Sequence, residues 1–356
     1  MWFEILLLYL PVVFLLGYTL KTSFNRSLAS TNIYLTVLFA LAITIAIGYF
    51  PLELSIDKPR YAYMYTSALD LGISYEYRDM GWIAYNTICG WIFGKKMELF
   101  FLLTAIIYVG GFLVLSRMTF TKEYMGYFVI MSVGCLGFSN YGTNVIRAGV
   151  AMSLLMLAYS LKIKNVYKIL LVLIALTFQK SMIIPILAFI GGSIIKKTPM
   201  VVFIWGVCLL LSATNVDLSA LFESVGFVDE RIEQYTDTMD DLDDSSYEQG
   251  FRLDFFLYSV FPLLIAFYYN SMKRIKDEAY LILVKTYLLA NAVWLLAIRI
   301  EYSDRLAYLS WFMIPYILLY PIIKYQHKFL RPQRVMLMLM YIFMGVRVML
   351  ALRSAL

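Results

Sequence analysis

Long apolar runs separated by short polar punctuation make up most of this chain. Twelve of them suit helices: about 2–20, 31–51, 99–116, 124–140, 145–162, 167–178, 181–195, 200–215, 254–270, 280–298, 306–323 and 335–352. A perpendicular span through a bilayer wants roughly 20 residues, so several runs are short. Only Gln179 and Lys180 separate the pair 167–178 and 181–195. The pattern predicts an all-α polytopic membrane protein with about twelve spans, ten to thirteen being compatible with it, folded as one transmembrane domain over 1–356. The first run follows Met1 directly, lacks a basic flank and carries Glu4, which speaks against a cleaved leader.

Composition agrees. Hydrophobic residues are 62% and charged residues 15%, against about 45–50% and about 25% in soluble domains. Soluble enzymes, disordered chains and secreted disulfide scaffolds are excluded. The net charge of +6 is sorted by position. Alternate loops carry Lys21, Arg26, Arg117, Lys122, Lys162, Lys164, Lys168, Lys196, Lys197, Lys273, Arg274, Lys276, Lys324, Lys328, Arg331 and Arg334, with only Glu123, Asp277 and Glu278 against them. The positive-inside rule makes that face cytoplasmic. Both termini and the two long loops, about 52–98 and 216–253, then face outward. The basic balance therefore reports topology, not a nucleic-acid partner.

In the first loop, Asp79–Phe93 alternates aromatic and polar residues and reads as a short amphipathic helix at the interface. The second holds the acidic cluster Asp240, Asp241, Asp243 and Asp244, a solvated loop tip without the ligand spacing of an EF-hand. Cys89, Cys135 and Cys208 are scattered, and the sole histidine, His327, has no ligand-type neighbours, so no metal site is expected. Nucleotide-binding and serine-hydrolase motifs are lacking. No cytoplasmic loop is long enough for a catalytic domain, so chemistry belongs at the membrane or on its outer side.

Ionisable residues at membrane depth are costly and so point to function. Lys285 is expected to snorkel to the cytoplasmic face, and Arg347 divides evenly between an outward-snorkelling structural role and a functional one. Six other cations, Arg60, Arg147, Lys180, Arg252, Arg299 and Arg305, fall at outer helix ends. Singly, each fits a salt bridge to a loop carboxylate. Six at one depth point to a shared anionic ligand, because the arginine fork holds two phosphate oxygens and helix N-termini at Arg147 and Arg305 favour anions. Asn144, Arg147 and Ala151 share one helical face.

Here the sequence resembles the EpsG family of polysaccharide polymerases, the group that includes Wzy-type O-antigen and capsule polymerases of bacteria. The matching pieces are Asp57-Lys58-Pro59-Arg60-Tyr61, Asp79-Met80-Gly81-Trp82, Asn144-x-x-Arg147-x-x-x-Ala151, Phe178-Gln179-Lys180-Ser181 and Asp304-Arg305-Leu306 ahead of the aromatic-rich span containing Pro315. The resemblance implies a cofactor-free, metal-independent enzyme of the bacterial inner membrane. Its donor and acceptor would be undecaprenyl-diphosphate-linked oligosaccharides, drawn from among the membrane lipids, and a chain-length regulator protein is a further possible partner. The cation set would hold the donor diphosphate, and a carboxylate, Asp57, Asp79 or Glu76 foremost, then Glu301 or Asp304, would take the acceptor proton. Tyr61, Trp82, Asn144 and Tyr302 are candidates for sugar contact, although interfacial belts explain aromatics equally well. The sequence departs from the family at Gln179, where histidine is usual, and glutamine cannot serve as a base. A flippase for the lipid-linked unit and an O-antigen ligase are the competing readings.

Overall fold

The computed structural model describes residues 7, 9–17, 19, 29–71, 79–160, 164–214, 251–299 and 303–353. Glu76, Glu301, Tyr302 and the 240–244 acidic cluster lie outside them. The described residues are helical, with turns and no strand. After a helical stretch over 9–17 come α1 (Ala29–Gly48), α2 (Lys58–Leu71), α3 (Met80–Phe93), α4 (Met97–Thr119), α5 (Met125–Gly134), α6 (Phe138–Thr143), α7 (Ile146–Ala158) and α8 (Asn165–Phe178). They are followed by α9 (Ile183–Ile194), α10 (Thr198–Ala213), α11 (Leu253–Ser271), α12 (Glu278–Leu296), α13 (Asp304–Trp311), α14 (Ile314–Lys324) and α15 (Pro332–Arg353).

Among the described residues, five stretches are long and apolar enough to cross a bilayer: Met97–Thr119, Leu253–Ser271, Glu278–Leu296, Asp304–Lys324 and Pro332–Leu350. Shorter apolar helices fill most of the remaining runs. Two runs that read as unbroken are interrupted. The 124–140 run stops at Gly134 and restarts at Phe138 through Gly137, whose φ of +88° suits glycine alone at low cost. The 306–323 run turns at Phe312 and Met313. Apolar residues on both sides hide each break from a hydrophobicity pattern.

The chain divides into two compact units, residues 1–182 with 314–356, and Ile183–Met313. In the first, every residue of α5 is buried, as are Ile314–Ile323 of α14. A helix buried all round belongs at a centre, and α5 and α14 pack on each other. Thr119 and Tyr316 hydroxyls hydrogen-bond, and Tyr124 Oη donates to Gln326 Oε1 (2.9 Å). Around this centre α1 packs on α4, α4 on α7, α7 on α8 and α15 on α5.

In the second unit α12 packs against α9, α10 and α13. Several of its buried polar side chains tie neighbouring helices together. Asn291 Oδ1 accepts from Trp205 Nε1 (2.9 Å) and Asn291 Nδ2 donates to Ser310 Oγ (3.2 Å). Tyr287 Oη donates to Ser259 O, and Trp311 Nε1 to Ser259 Oγ (2.6 Å). Lys285 does not snorkel: it is buried, and its ammonium donates to Ile195 O (2.6 Å) just past the α9 C-terminus. A cation there satisfies a carbonyl that the helix itself cannot.

Candidate functional site

The first unit concentrates charged and amide side chains where α2, α3 and α7 begin. The segment Ser55-Ile56-Asp57-Lys58-Pro59 starts α2 by ordinary helix chemistry. Ser55 Oγ accepts from Lys58 N (3.0 Å) as an N-terminal cap, and Pro59 sits at the second helical position, where its missing N–H costs nothing. The same hydroxyl shares its proton between Asn144 Oδ1 (2.7 Å) and Thr143 O (2.9 Å). Asn144 Oδ1 also accepts from Ile56 N (3.2 Å), while its Nδ2 donates to Asn140 Oδ1 (2.6 Å). One amide thus locks the α6–α7 link to the start of α2.

Lys58 points the other way. It is 2% exposed, and its Nζ donates to Phe50 O (2.5 Å) and Gly48 O (3.1 Å) at the end of α1. The Phe101 ring lies 4.6 Å from it. Burial pushes its pKa down from 10.5 to about 8.

Asp79 occupies the N-cap of α3 yet makes no capping bond to its own helix. Its carboxylate turns to Arg147, in the first turn of α7, with Oδ2 2.5 Å from NH1. Both side chains are about nine-tenths buried or more. Stranding either charge without its partner would cost about 3–5 kcal/mol. The Arg147 guanidinium carbon lies 5.8 Å from the Tyr61 ring centre, and Tyr61 packs edge-on to Trp82 at 5.6 Å. Trp82 also meets Phe178 at the end of α8 (6.1 Å). A methyl on Gly81 would lie 2.2 Å from Thr177 Oγ1, so the small residue in Asp79-Met80-Gly81-Trp82 lets α3 close onto α8. Asp79, Trp82 and Asn86 fall on one face of α3, all buried. Trp82 Nε1, Asn86 Oδ1 and Gln179 Oε1 find no hydrogen-bond partner among the described residues.

Of the residues singled out by sequence, the first unit brings together Asp79, Arg147, Tyr61 and Trp82, and Asn144 stands three residues before Arg147 at the end of α6. Asp57 is buried at the α2 start, Arg60 is half-buried beside Tyr61, and Lys180 is exposed after Gln179. Arg252, Arg299 and Arg305 belong to the second unit. There Arg252 grips Asp254 through both carboxylate oxygens (2.8 and 3.1 Å) and stacks on Phe255 at 3.9 Å. Arg299 donates to Ser212 O (3.1 Å) and lies 6.0 Å from the Phe251 ring.

Sequence reasoning passed over Ser55, Lys58 and Asn86. The first had a signal, a serine three residues before a helix-starting Lys-Pro pair. Lys58 stood inside the Asp57–Tyr61 motif without a role of its own, because its partners are backbone carbonyls at the end of α1, and Asn86 carried no signal. Among the described residues, no group of three or more His, Cys, Asp or Glu side chains could hold a metal ion.

A helical membrane protein, with a buried arginine–carboxylate pair at a helix start and aromatic rings beside it, is the class these observations define. A family model described as the EpsG family matches residues 32–355. The chain belongs to that family, a Wzy-like polysaccharide polymerase family. Searches of curated proteins and of solved structures return no significant match.

Proposed function

We propose that this protein joins undecaprenyl-diphosphate-linked oligosaccharide repeat units into O-antigen or capsular polysaccharide at the outer face of the bacterial inner membrane. The observation that carries this reading is the buried Asp79–Arg147 pair at the α7 N-terminus. Diphosphate oxygens entering there meet a planar guanidinium and a positive helix end. They compete with Asp79 for the same cation, and Asp79, once released, is the carboxylate best placed to act as base.

The bond from the donor's anomeric carbon to its diphosphate oxygen breaks, and the lipid diphosphate leaves with the electron pair. The acceptor hydroxyl oxygen forms the new glycosidic bond, and its proton passes to Asp79 and then to water. Arg147 stabilises charge growing on the leaving group. Arg60 and Lys180 supply further positive charge in the first unit. Tyr61 offers a ring face to the sugar. The unpartnered atoms of Trp82, Asn86 and Gln179 are one donor and two acceptors, which match sugar hydroxyl or acetamido groups. No metal is needed, since a lipid diphosphate already leaves well.

Purified protein in liposomes, given synthetic lipid-diphosphate repeat units, should produce a polymer ladder on gels, and EDTA should not change it. Asp79→Asn should abolish the ladder while leaving donor affinity equal or higher, since a competitor for Arg147 is gone. Weaker donor binding in that variant would reduce Asp79 to an orienting residue. Movement of the lipid-linked unit between leaflets without elongation would establish a transporter instead.

A further inference from the structure

Arg347, on α15, does not snorkel. Its NH1 donates to Val133 O (2.5 Å), and its NH2 donates to Leu7 O (3.0 Å) and Ser139 Oγ (2.6 Å). Val133 lies in the last turn of α5 and Ser139 in the first turn of α6. The guanidinium therefore spans the break at Cys135–Gly137. There the helix no longer satisfies its own carbonyls, and in hydrocarbon an unsatisfied carbonyl is costly.

The far end of the same segment is held just as firmly. Helix α6 has six residues. At its exit, Ser55 and Ile56 grip Asn144, and Asn144 grips Asn140. A methyl on Gly149 would fall 2.3 Å from Tyr141 O, so α6 presses directly on the first turns of α7. The Tyr108 hydroxyl donates to Phe138 O (2.9 Å) and steadies the α6 start. Arg147 lies three residues beyond Asn144. Little slack remains between the Arg347 clamp and the Arg147 guanidinium.

From this we infer that Arg347 is a positioning residue: by clamping the α5–α6 break it fixes α6, and through α6 it sets where Arg147 meets the donor diphosphate. The inference rests on the reading of Arg147 given above. Lysine could not replace it fully, because one ammonium point charge lacks the planar fork that serves three acceptors in fixed directions. A shift of Arg147 by about 1 Å would cost about a hundredfold in turnover.

The test compares wild type with Arg347→Met, Arg347→Lys, Arg347→Gly and Arg147→Ala in liposomes. Three quantities are read: turnover, melting temperature, and affinity for a short-chain polyprenyl diphosphate by tryptophan quenching. Arg347→Met should lose about ten- to a hundredfold in turnover and weaken diphosphate binding, with the folded fraction intact at the assay temperature. Arg347→Lys should fall between. Millimolar guanidinium ion should restore binding and turnover in Arg347→Gly, and methylammonium should not. Diphosphate affinity unchanged in Arg347→Met but lost in Arg147→Ala would overturn the positioning role and leave the diphosphate site standing. Unchanged affinity in Arg147→Ala would overturn the reading of Arg147 itself. Turnover that falls only with the folded fraction, unrescued by guanidinium, would reduce Arg347 to a structural brace and sink the inference.

Discussion

The two units differ in what some of their buried polar side chains hold together. In the second, α12 is unbroken over nineteen residues, and Asn291 on it ties two neighbouring helices by side-chain bonds, accepting from Trp205 and donating to Ser310. These bonds join helices whose backbones are already satisfied. In the first unit the span from Met125 to Ala158 is broken twice, and side chains also hold backbone carbonyls freed near helix ends. Arg347 holds Val133 O and Lys58 holds Phe50 O, while Ser55 reaches Thr143 O. Beside these breaks, Asp79 on α3 meets Arg147 in the first turn of α7, a buried pair joining two helices, whereas Arg252 and Asp254 of the second unit pair within one more exposed helix start. A polar bond between intact helices is replaceable stability; one that props open a break sets the geometry of a site.

That contrast can be broken by substitution. The largest effect is expected at Arg147→Ala, with loss of about 10²–10³-fold in polymerisation rate in a protein that still inserts. Near-normal chain length would remove Arg147 from the mechanism and the contrast with it. Gly149→Val comes next: its side chain meets Tyr141 O, so α6 must shift, and activity should fall further than melting temperature. Equal losses would show that the broken region is no more site-determining than any other. Smaller is Asn291→Leu in the second unit, which should destabilise by about 1 kcal/mol and leave turnover per folded molecule unchanged. The smallest effect concerns Lys58. Its folded pKa, about 8, lies below the ordinary 10.5, so the unfolded chain binds more protons between those values. Stability should therefore rise with pH across that window, with the gain complete above 10.5 and absent below about 8. In Lys58→Met that slope should vanish.

Much of this was legible in the chain. The apolar runs mark α4, α12 and α15 because a helix in lipid must satisfy its backbone internally and be apolar throughout. Asp79 and Arg147 each stand out as charges near membrane depth, but nothing in the sequence joins residues 68 apart. Their contact arises only once α3 and α7 pack around α8. The break at Cys135–Gly137 is invisible because Gly134, Cys135 and Leu136 are apolar or small and keep the hydrophobic pattern running. Arg347 was visible as an anomaly and illegible in role, because its chief partners are carbonyls, and every residue has one.

The discontinuous first unit also sets a timetable for synthesis. Arg347 lies 208 residues after Ser139 and 340 after Leu7. At about 5–20 residues per second, the ribosome needs roughly ten to forty seconds to deliver the clamp after the segment it closes. Through that interval the nascent chain carries Arg147 beyond an unclamped break. A chain stalled anywhere before α15 would therefore be inserted but idle, so that glycan assembly waits for the finished protein.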